Sequence, residues 1–300
     1  MNTTSSKKSS WKPYLILGIL SLIWGSSFIL IKKALIVFMP VDLGFLRIGI
    51  AFLMYLYFII REVKKVDWNQ WKSYAAVGLL GSGLPSFLYA IAQTEITSSV
   101  TGILNSMTPI FTLLIGVVLF ASSVTKQAKL GVIVGFLGAA SLILFSDNNQ
   151  LGGNPIYGLF IIGATICYAC SVNLVKAKFQ NVNPITVSSI SFLFIGPIAI
   201  TYLILQPEWL HSIQEHSYGW HAISATAVLA ILGTFLANII FYRLVQLTSA
   251  VFASSVAYLM PMIVLFWGII DGESIGLFHL VGIIGILIGI FLIRKKPSHA

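Results

Sequence analysis

Few residues in this chain have the types and spacing that chemistry requires. Cys167-Tyr168-Ala169-Cys170 has the spacing of a redox or metal-binding pair. Reactive thiols want an electropositive, accessible helix start, and zinc wants further ligands. This pair lies in an apolar run, and the chain holds only 2 cysteines, so inert burial is the expectation. His211, Glu215, His216 and His221 fall close together without spacing suited to coordination, and no metal is expected. No Walker A sequence, G-x-S-x-G or H-E-x-x-H occurs, so no catalytic residue, no cofactor and no ATP-driven step is expected. What remains is a set of polar and aromatic groups set inside apolar runs: Trp24, Arg47, Tyr89, Gln93, Asn105, Tyr168, Asn238 and Tyr242. Their chemistry is recognition. Amides, phenols and a guanidinium at membrane depth need partners and commonly face protein or water.

The elements that must position these groups are apolar runs long enough to cross a bilayer, about 20 residues at 1.5 Å each. Spans are predicted at 13-31, 41-60, 73-92, 98-120, 127-145, 155-175, 185-205, 221-242, 249-270 and 276-293. A composition of 57% hydrophobic and 9% charged residues excludes an ordinary soluble domain. Runs of this length without period-2 alternation close their backbone bonds as helices, so the predicted fold class is an all-α integral membrane bundle of ten helices. The first run, Tyr14 to Ile31, exceeds the apolar core of a signal peptide and ends in Lys32-Lys33, so it is expected to stay as a span.

A formal charge of +9 raises nucleic acid as a partner, but the cations alternate with the spans. With residues 1-12 cytoplasmic, Lys7, Lys8, Lys12, Arg61, Lys64, Lys65, Lys72, Lys126, Lys129, Lys176, Lys178, Arg243, Arg294, Lys295 and Lys296 all lie inside, leaving Lys32, Lys33 and Arg47 of the 18 basic residues. The positive-inside rule then puts both termini, 1-12 and 294-300, in the cytoplasm, and basicity reports topology and anionic lipid rather than nucleic acid.

The chain repeats at about half its length. Ser98, Gly102, Asn105, Pro109, Thr112 and Gly116 form one helical stripe, and a shift of 152 gives Ala250, Ser254, Ala257, Pro261, Val264 and Gly268. Tyr89 and Gln93 match Tyr242 and Gln246 at a shift of 153, and Trp24 and Lys32 match Tyr168 and Lys176. Five spans per half is odd, so the halves, 13-147 and 151-293, are expected to insert with opposite orientation. The loop charges agree: Lys126 and Lys129 follow span 4, whereas Asp271 and Glu273 follow span 9. Two inverted halves can exchange conformations around a central site.

Several motifs carry a resemblance: Leu22-Ile23-Trp24-Gly25-Ser26-Ser27-Phe28, Leu46-Arg47, Asn105-Ser106-Met107-Thr108-Pro109, Tyr258-Leu259-Met260-Pro261, the Gly272-Glu273 loop and the glycine-rich last span. Together they resemble the drug/metabolite transporter superfamily in its two-copy EamA type, over nearly all of Tyr14 to Arg294. One departure is the stretch Phe120-Ala121-Ser122-Ser123, which lacks the acid that Glu273 supplies after span 9. The resemblance implies a cavity lined by spans 1 to 4 and 6 to 9, with spans 5 and 10 peripheral, and export or exchange of small metabolites such as amino acids at a bacterial inner membrane. Tyr258 joins the candidate lining through its motif.

Pro109 and Pro261 are expected mid-span, as hinges or as kinks satisfied by neighbours. Asn105 is expected in the cavity or in an interhelical bond. Arg47 is expected to pair with Asp42 or snorkel outward; binding a substrate carboxylate through its planar fork is its third use. Gly131-x-x-x-Gly135 and Gly285-x-x-x-Gly289 permit close helix approach, either in a homodimer or within one chain. With no acid mid-span, the expected activity is facilitated exchange or uniport of a neutral or zwitterionic metabolite. A sugar-phosphate or nucleotide-sugar exchanger is the nearer alternative, and a membrane enzyme or sensor the more distant one.

Overall fold

The computed structural model describes residues 11–144, 154–270 and 277–294. Asp147, Asp271, Glu273, Lys295 and Lys296 lie outside these residues, as do the N-terminal ten. The described residues are helical throughout, with no strand among them. In chain order the helices are α1 (Lys12–Ala34), α2 (Pro40–Glu62), α3 (Trp71–Gly78), α4 (Leu84–Ala92), α5 (Ser98–Asn105), α6 (Thr108–Phe120), α7 (Lys126–Leu144) and α8 (Gly158–Lys178). They continue with α9 (Pro184–Leu205), α10 (Glu208–Glu215), α11 (Gly219–Ala230), α12 (Ala237–Leu247), α13 (Ala250–Ser254), α14 (Val256–Ile270) and α15 (Leu277–Arg294). Among the described residues six stretches are long and apolar enough to cross a membrane: Lys12–Ala34, Pro40–Lys65, Trp68–Ala92, Gly158–Lys178, Pro184–Leu205 and Gly219–Leu247. Shorter apolar helices accompany them, so this is an all-helical membrane protein.

Local chemistry sets the helix starts. Proline stands in the first turn of α1, α2, α4, α6 and α9, where its missing N–H costs nothing. Asn183 caps α9 by accepting from the Ile185 N–H at 2.9 Å, and Ser249 caps α13 by accepting from Phe252 at 3.1 Å. Two wide turns interrupt otherwise continuous helices. A π turn at Leu79–Gly83 joins α3 to α4, and another at Ile231–Leu236 joins α11 to α12. Pro85 explains the first: lacking an N–H, it cannot bond the Gly81 carbonyl, and the Leu84 N–H reaches back to Leu79.

The prolines of the repeated stripe sit differently from one another. Pro109 is not mid-helix: the chain breaks at Ser106-Met107 and Pro109 lies in the first turn of α6, whereas Pro261 is inside α14. Both freed carbonyls still find hydroxyl donors. Thr108 donates to Asn105 O at 2.7 Å, and Ser106 donates across to Ala257 O at 3.4 Å.

The helices assemble in three groups. α2 packs along α9 on one flank, α7 packs along α15 on the other, and α1, α4, α5, α6, α8, α12 and α14 lie between. The outer faces carry Ile60, Val118, Ile133, Ile204 and Ile284, all strongly exposed and suited to lipid. The inner faces bury serine, threonine and asparagine. The glycines of α7 and α15 face each other: a Cβ on Gly289 would stand 2.6 Å from Gly135 Cα, and one on Gly131 would stand 2.7 Å from Gly289 O. Close approach at these glycines is therefore a contact within one chain.

Candidate functional site

Between the flanks lies a cavity of about 840 Å³, its open mouth included. A concave, mostly apolar wall with a few polar groups is the kind of site that takes a small molecule. α1 contributes Trp24, Ser27, Phe28 and Ile31; α2 contributes Arg47; α4 and α5 contribute Tyr89 and Asn105; α8 contributes Tyr168 and Ser171; and α12 contributes Asn238 and Tyr242. The π turns bring Gly81, Ser82 and Gly233 to its wall. A Cβ on Gly81 would come within 2.6 Å of Ser171 Oγ, and one on Gly233 within 3.1 Å of Ser27 Oγ, so both turns approach the facing helix closely. Widened turns free backbone groups and re-aim side chains, which is why they recur at functional sites.

Polar groups on the wall are held by bonds that leave part of each free. The Trp24 Nε1–H donates to Gly233 O at 2.8 Å, which ties α1 to the second π turn. Tyr89 donates its hydroxyl proton to Asn105 Oδ1, and the Asn105 amide donates to Met260 Sδ at 3.0 Å. Asn238 Nδ2 donates to Ser82 Oγ at 2.9 Å. Trp24 also packs edge-on against Phe241 with centroids 5.1 Å apart, and Tyr168 lies 6.0 Å from Tyr89. The result is an aromatic box with a few fixed dipoles.

Arg47 is the one charged residue among the described residues of this wall. It neither pairs with Asp42 nor snorkels, contrary to the sequence expectation. The Asp42 carboxylate accepts from the Tyr202 hydroxyl at 2.9 Å instead, and Arg47 donates from Nε to Thr234 Oγ1 at 2.7 Å. Thr234 belongs to the second π turn, so this bond aims the guanidinium inward. Its two Nη groups have no hydrogen bond or ion pair among the described residues and remain open to the cavity. Such a fork is preorganised for a carboxylate.

Seven residues singled out from sequence come together here: Trp24, Arg47, Tyr89, Asn105, Tyr168, Asn238 and Tyr242. Gln93 and Tyr258 do not. Gln93 caps α4, buried and away from the wall. Tyr258 is fully buried against α7, where its hydroxyl donates to Val132 O at 2.8 Å and its ring lies over Gly135. Span 7 also departs from expectation, because α9 lies behind α2 and contributes nothing to the wall among the described residues. Sequence reasoning missed Ser27, Ser82, Ser171, Thr234, Gly81 and Gly233. The matched pairs Ser27 with Ser171 and Gly81 with Gly233 were a signal available from the repeat.

Comparison with known proteins agrees with this architecture. Residues 11–144 and 156–295 each match the EamA-like transporter family. An uncharacterized transporter of Archaeoglobus fulgidus is 25% identical over 287 residues, spanning 95% of this chain and 99% of its own. The uncharacterized inner membrane transporter YedA of Escherichia coli K12 is 23% identical over 261 residues, spanning 85% and 82%. The uncharacterized transporter YetK of Bacillus subtilis is 26% identical over 309 residues, spanning 98% and 90%. A solved crystal structure with 16% identity superposes with a TM-score of 0.69 over 95% of this chain and 96% of its own, a likeness of fold. Two family matches cover the membrane-embedded chain almost end to end, and on that ground the protein belongs to the EamA-like transporter family, as a multi-pass membrane transporter with two EamA domains.

Proposed function

We propose that this transporter moves small carboxylate-bearing metabolites, amino acids or related neutral and zwitterionic compounds, by alternating access around the central cavity. The observation that carries the reading is Arg47, whose Nη groups open into an aromatic box without an acid among its described lining residues. A carboxylate on the substrate would complete this guanidinium, while Trp24, Tyr89, Tyr168 and Tyr242 would enclose the rest of the molecule. Their ring faces also receive an ammonium by cation–π attraction. A sugar phosphate is less well matched, since a phosphate dianion calls for more than one cation.

The mechanism follows from ten spans in two halves of opposite orientation, both termini cytoplasmic. Supporting it are the matched π turns, the matched breaks near Ser106 and Ser255, and the proline of each stripe. Pro109 and Pro261 would serve as hinges, because their freed carbonyls rely on hydroxyls that can exchange partners. Counterflow tests the function. Proteoliposomes loaded with unlabelled amino acids should accumulate labelled members of the pool in a saturable way, and uptake no greater than that of empty liposomes would reject amino acids as cargo.

A further inference from the structure

The two halves of the chain are not in the same state at their matching ends. At one end, the close of α8 is fastened to the close of α12. Lys176 Nζ donates to the carbonyls of Val245 at 3.2 Å and Gln246 at 3.5 Å, and also to that of Thr248. The Gln246 amide donates to Phe179 O at 2.8 Å and to Val182 O at 2.6 Å, and Gln180 returns a bond to Gln246 O at 2.6 Å. These contacts satisfy carbonyls that a helix end leaves open.

The counterpart residues are Lys32 at the end of α1 and Gln93 at the end of α4, and nothing fastens them. Gln93 is 7% exposed, yet both its side-chain nitrogen and its oxygen lack any partner. An amide buried in that condition is costly and calls for an explanation. Lys32 is exposed and makes no hydrogen bond among the described residues. The carbonyls of Leu35 and Phe38, which correspond to Phe179 and Val182, receive no backbone N–H. Along α1 the cavity reaches Ile31, beside Lys32, and along α8 it stops at Ser171, more than a turn short of Lys176, whereas along the repeated stripe it reaches Ser254 in the second half and Asn105 in the first.

We infer that Gln93 and Lys32 are the gate residues of the opposite state: when the Lys176–Gln246 latch opens, the Gln93 amide donates to Leu35 and Phe38, and Lys32 donates to the carbonyls of Gln93 and Glu95. In the present structure the latch is made at the Lys176 end, cytoplasmic in the proposed topology, and unmade at the Lys32 end. The orphaned amide of Gln93 is then the unmade half of a switch, satisfied only after the exchange. This rests on the alternating-access reading above and adds which residues hold each state.

The test reads conformation rather than transport, so it stands apart from the counterflow result. In full-length protein with Cys167 and Cys170 replaced by serine, Ile31→Cys reports access to the Lys32 end through its rate of labelling by a membrane-impermeant maleimide. Gln246→Leu should slow labelling by roughly fivefold for a lost buried hydrogen bond, and Gln93→Leu, added to Gln246→Leu, should speed it again by a similar factor. Lys176→Met, at a less buried position, should act in the same direction as Gln246→Leu and guards against misfolding of that variant. Shifts of the same sign from the two glutamines, or no shift from Gln93→Leu, would overturn the assignment. Counterflow without opposed shifts would leave transport standing and remove the gate; opposed shifts without counterflow would do the reverse.

Discussion

Replacing Arg47 by glutamine separates its two structural uses. The side chain makes one neutral-acceptor bond, from Nε to Thr234 Oγ1 at 2.7 Å, and leaves both Nη groups to the cavity. A hydrogen bond to a charged group contributes about 1.5–3 kcal/mol, whereas one between neutral groups contributes about 1. At about 1.4 kcal/mol per tenfold, Arg47→Gln should raise the half-saturation concentration for a carboxylate substrate by about 10- to 150-fold. Arg47→Lys keeps the charge without the fork and should fall between. Thr234→Val removes only the anchor, leaves the charged fork in place, and should raise the half-saturation concentration less than Arg47→Gln does. The assay is concentration-dependent counterflow of one amino acid and of its amide, which lacks the carboxylate. The wild-type protein should prefer the acid, and that preference should collapse in Arg47→Gln. If Thr234→Val matched Arg47→Gln and the acid-to-amide ratio stayed constant, Arg47 would be a tie between α2 and the π turn, and the reasoning would fail.

Two further substitutions test the scaffold. Gly289→Ala would put a methyl 2.6 Å from the backbone of Gly135, about 1 Å inside normal carbon contact. The two helices must part, and the midpoint of thermal unfolding in detergent should fall, by an amount reflecting about 1–3 kcal/mol of overpacking. The half-saturation constant should hold, because α15 gives nothing to the described cavity wall. Ala121 holds a left-handed conformation at φ 48 where α6 ends, with Ser122 N–H bonded to Gly116 O at 2.9 Å. Ala121→Gly should raise the same midpoint, by about 1 kcal/mol of relieved strain.

How far the sequence could be read depends on which geometric coordinate is asked for. Helical period gives direction around an axis, and Tyr89, Asn105, Asn238 and Tyr242, singled out on that basis, line the cavity. It does not give depth along the axis. Gln93 shares a face with Tyr89 but lies one turn farther, at the end of α4, beyond the cavity. Tyr258 fails for another reason: the break at Ser255 redirects the chain entering α14, and the ring turns toward Gly135. A constant 3.6-residue period also hides the π turns, each of which rotates everything after it. Only the glycines and Pro85 mark the first of them. The partner of Arg47 was unreadable because Thr234 lies 187 residues away and reaches it through such a turn. Six of the spans were legible, as the described residues bear out, because lipid demands long apolar runs, a requirement that no tertiary contact can mask.

Arg47 is the single charge on the described cavity wall, so under the proposed function the electrical work of a cycle would follow the cargo. A zwitterion carries no net charge, so the membrane potential neither drives nor opposes it, and flow runs down the concentration ratio in either direction. A monocarboxylate leaving an inside-negative cell gains about 2.3 kcal/mol per 100 mV, equivalent to a roughly fiftyfold concentration ratio. Under the proposed function the same cavity would be a two-way facilitator for one class of cargo and a rectified exit for the other. For charged cargo, voltage across the bilayer would set the sense of flow.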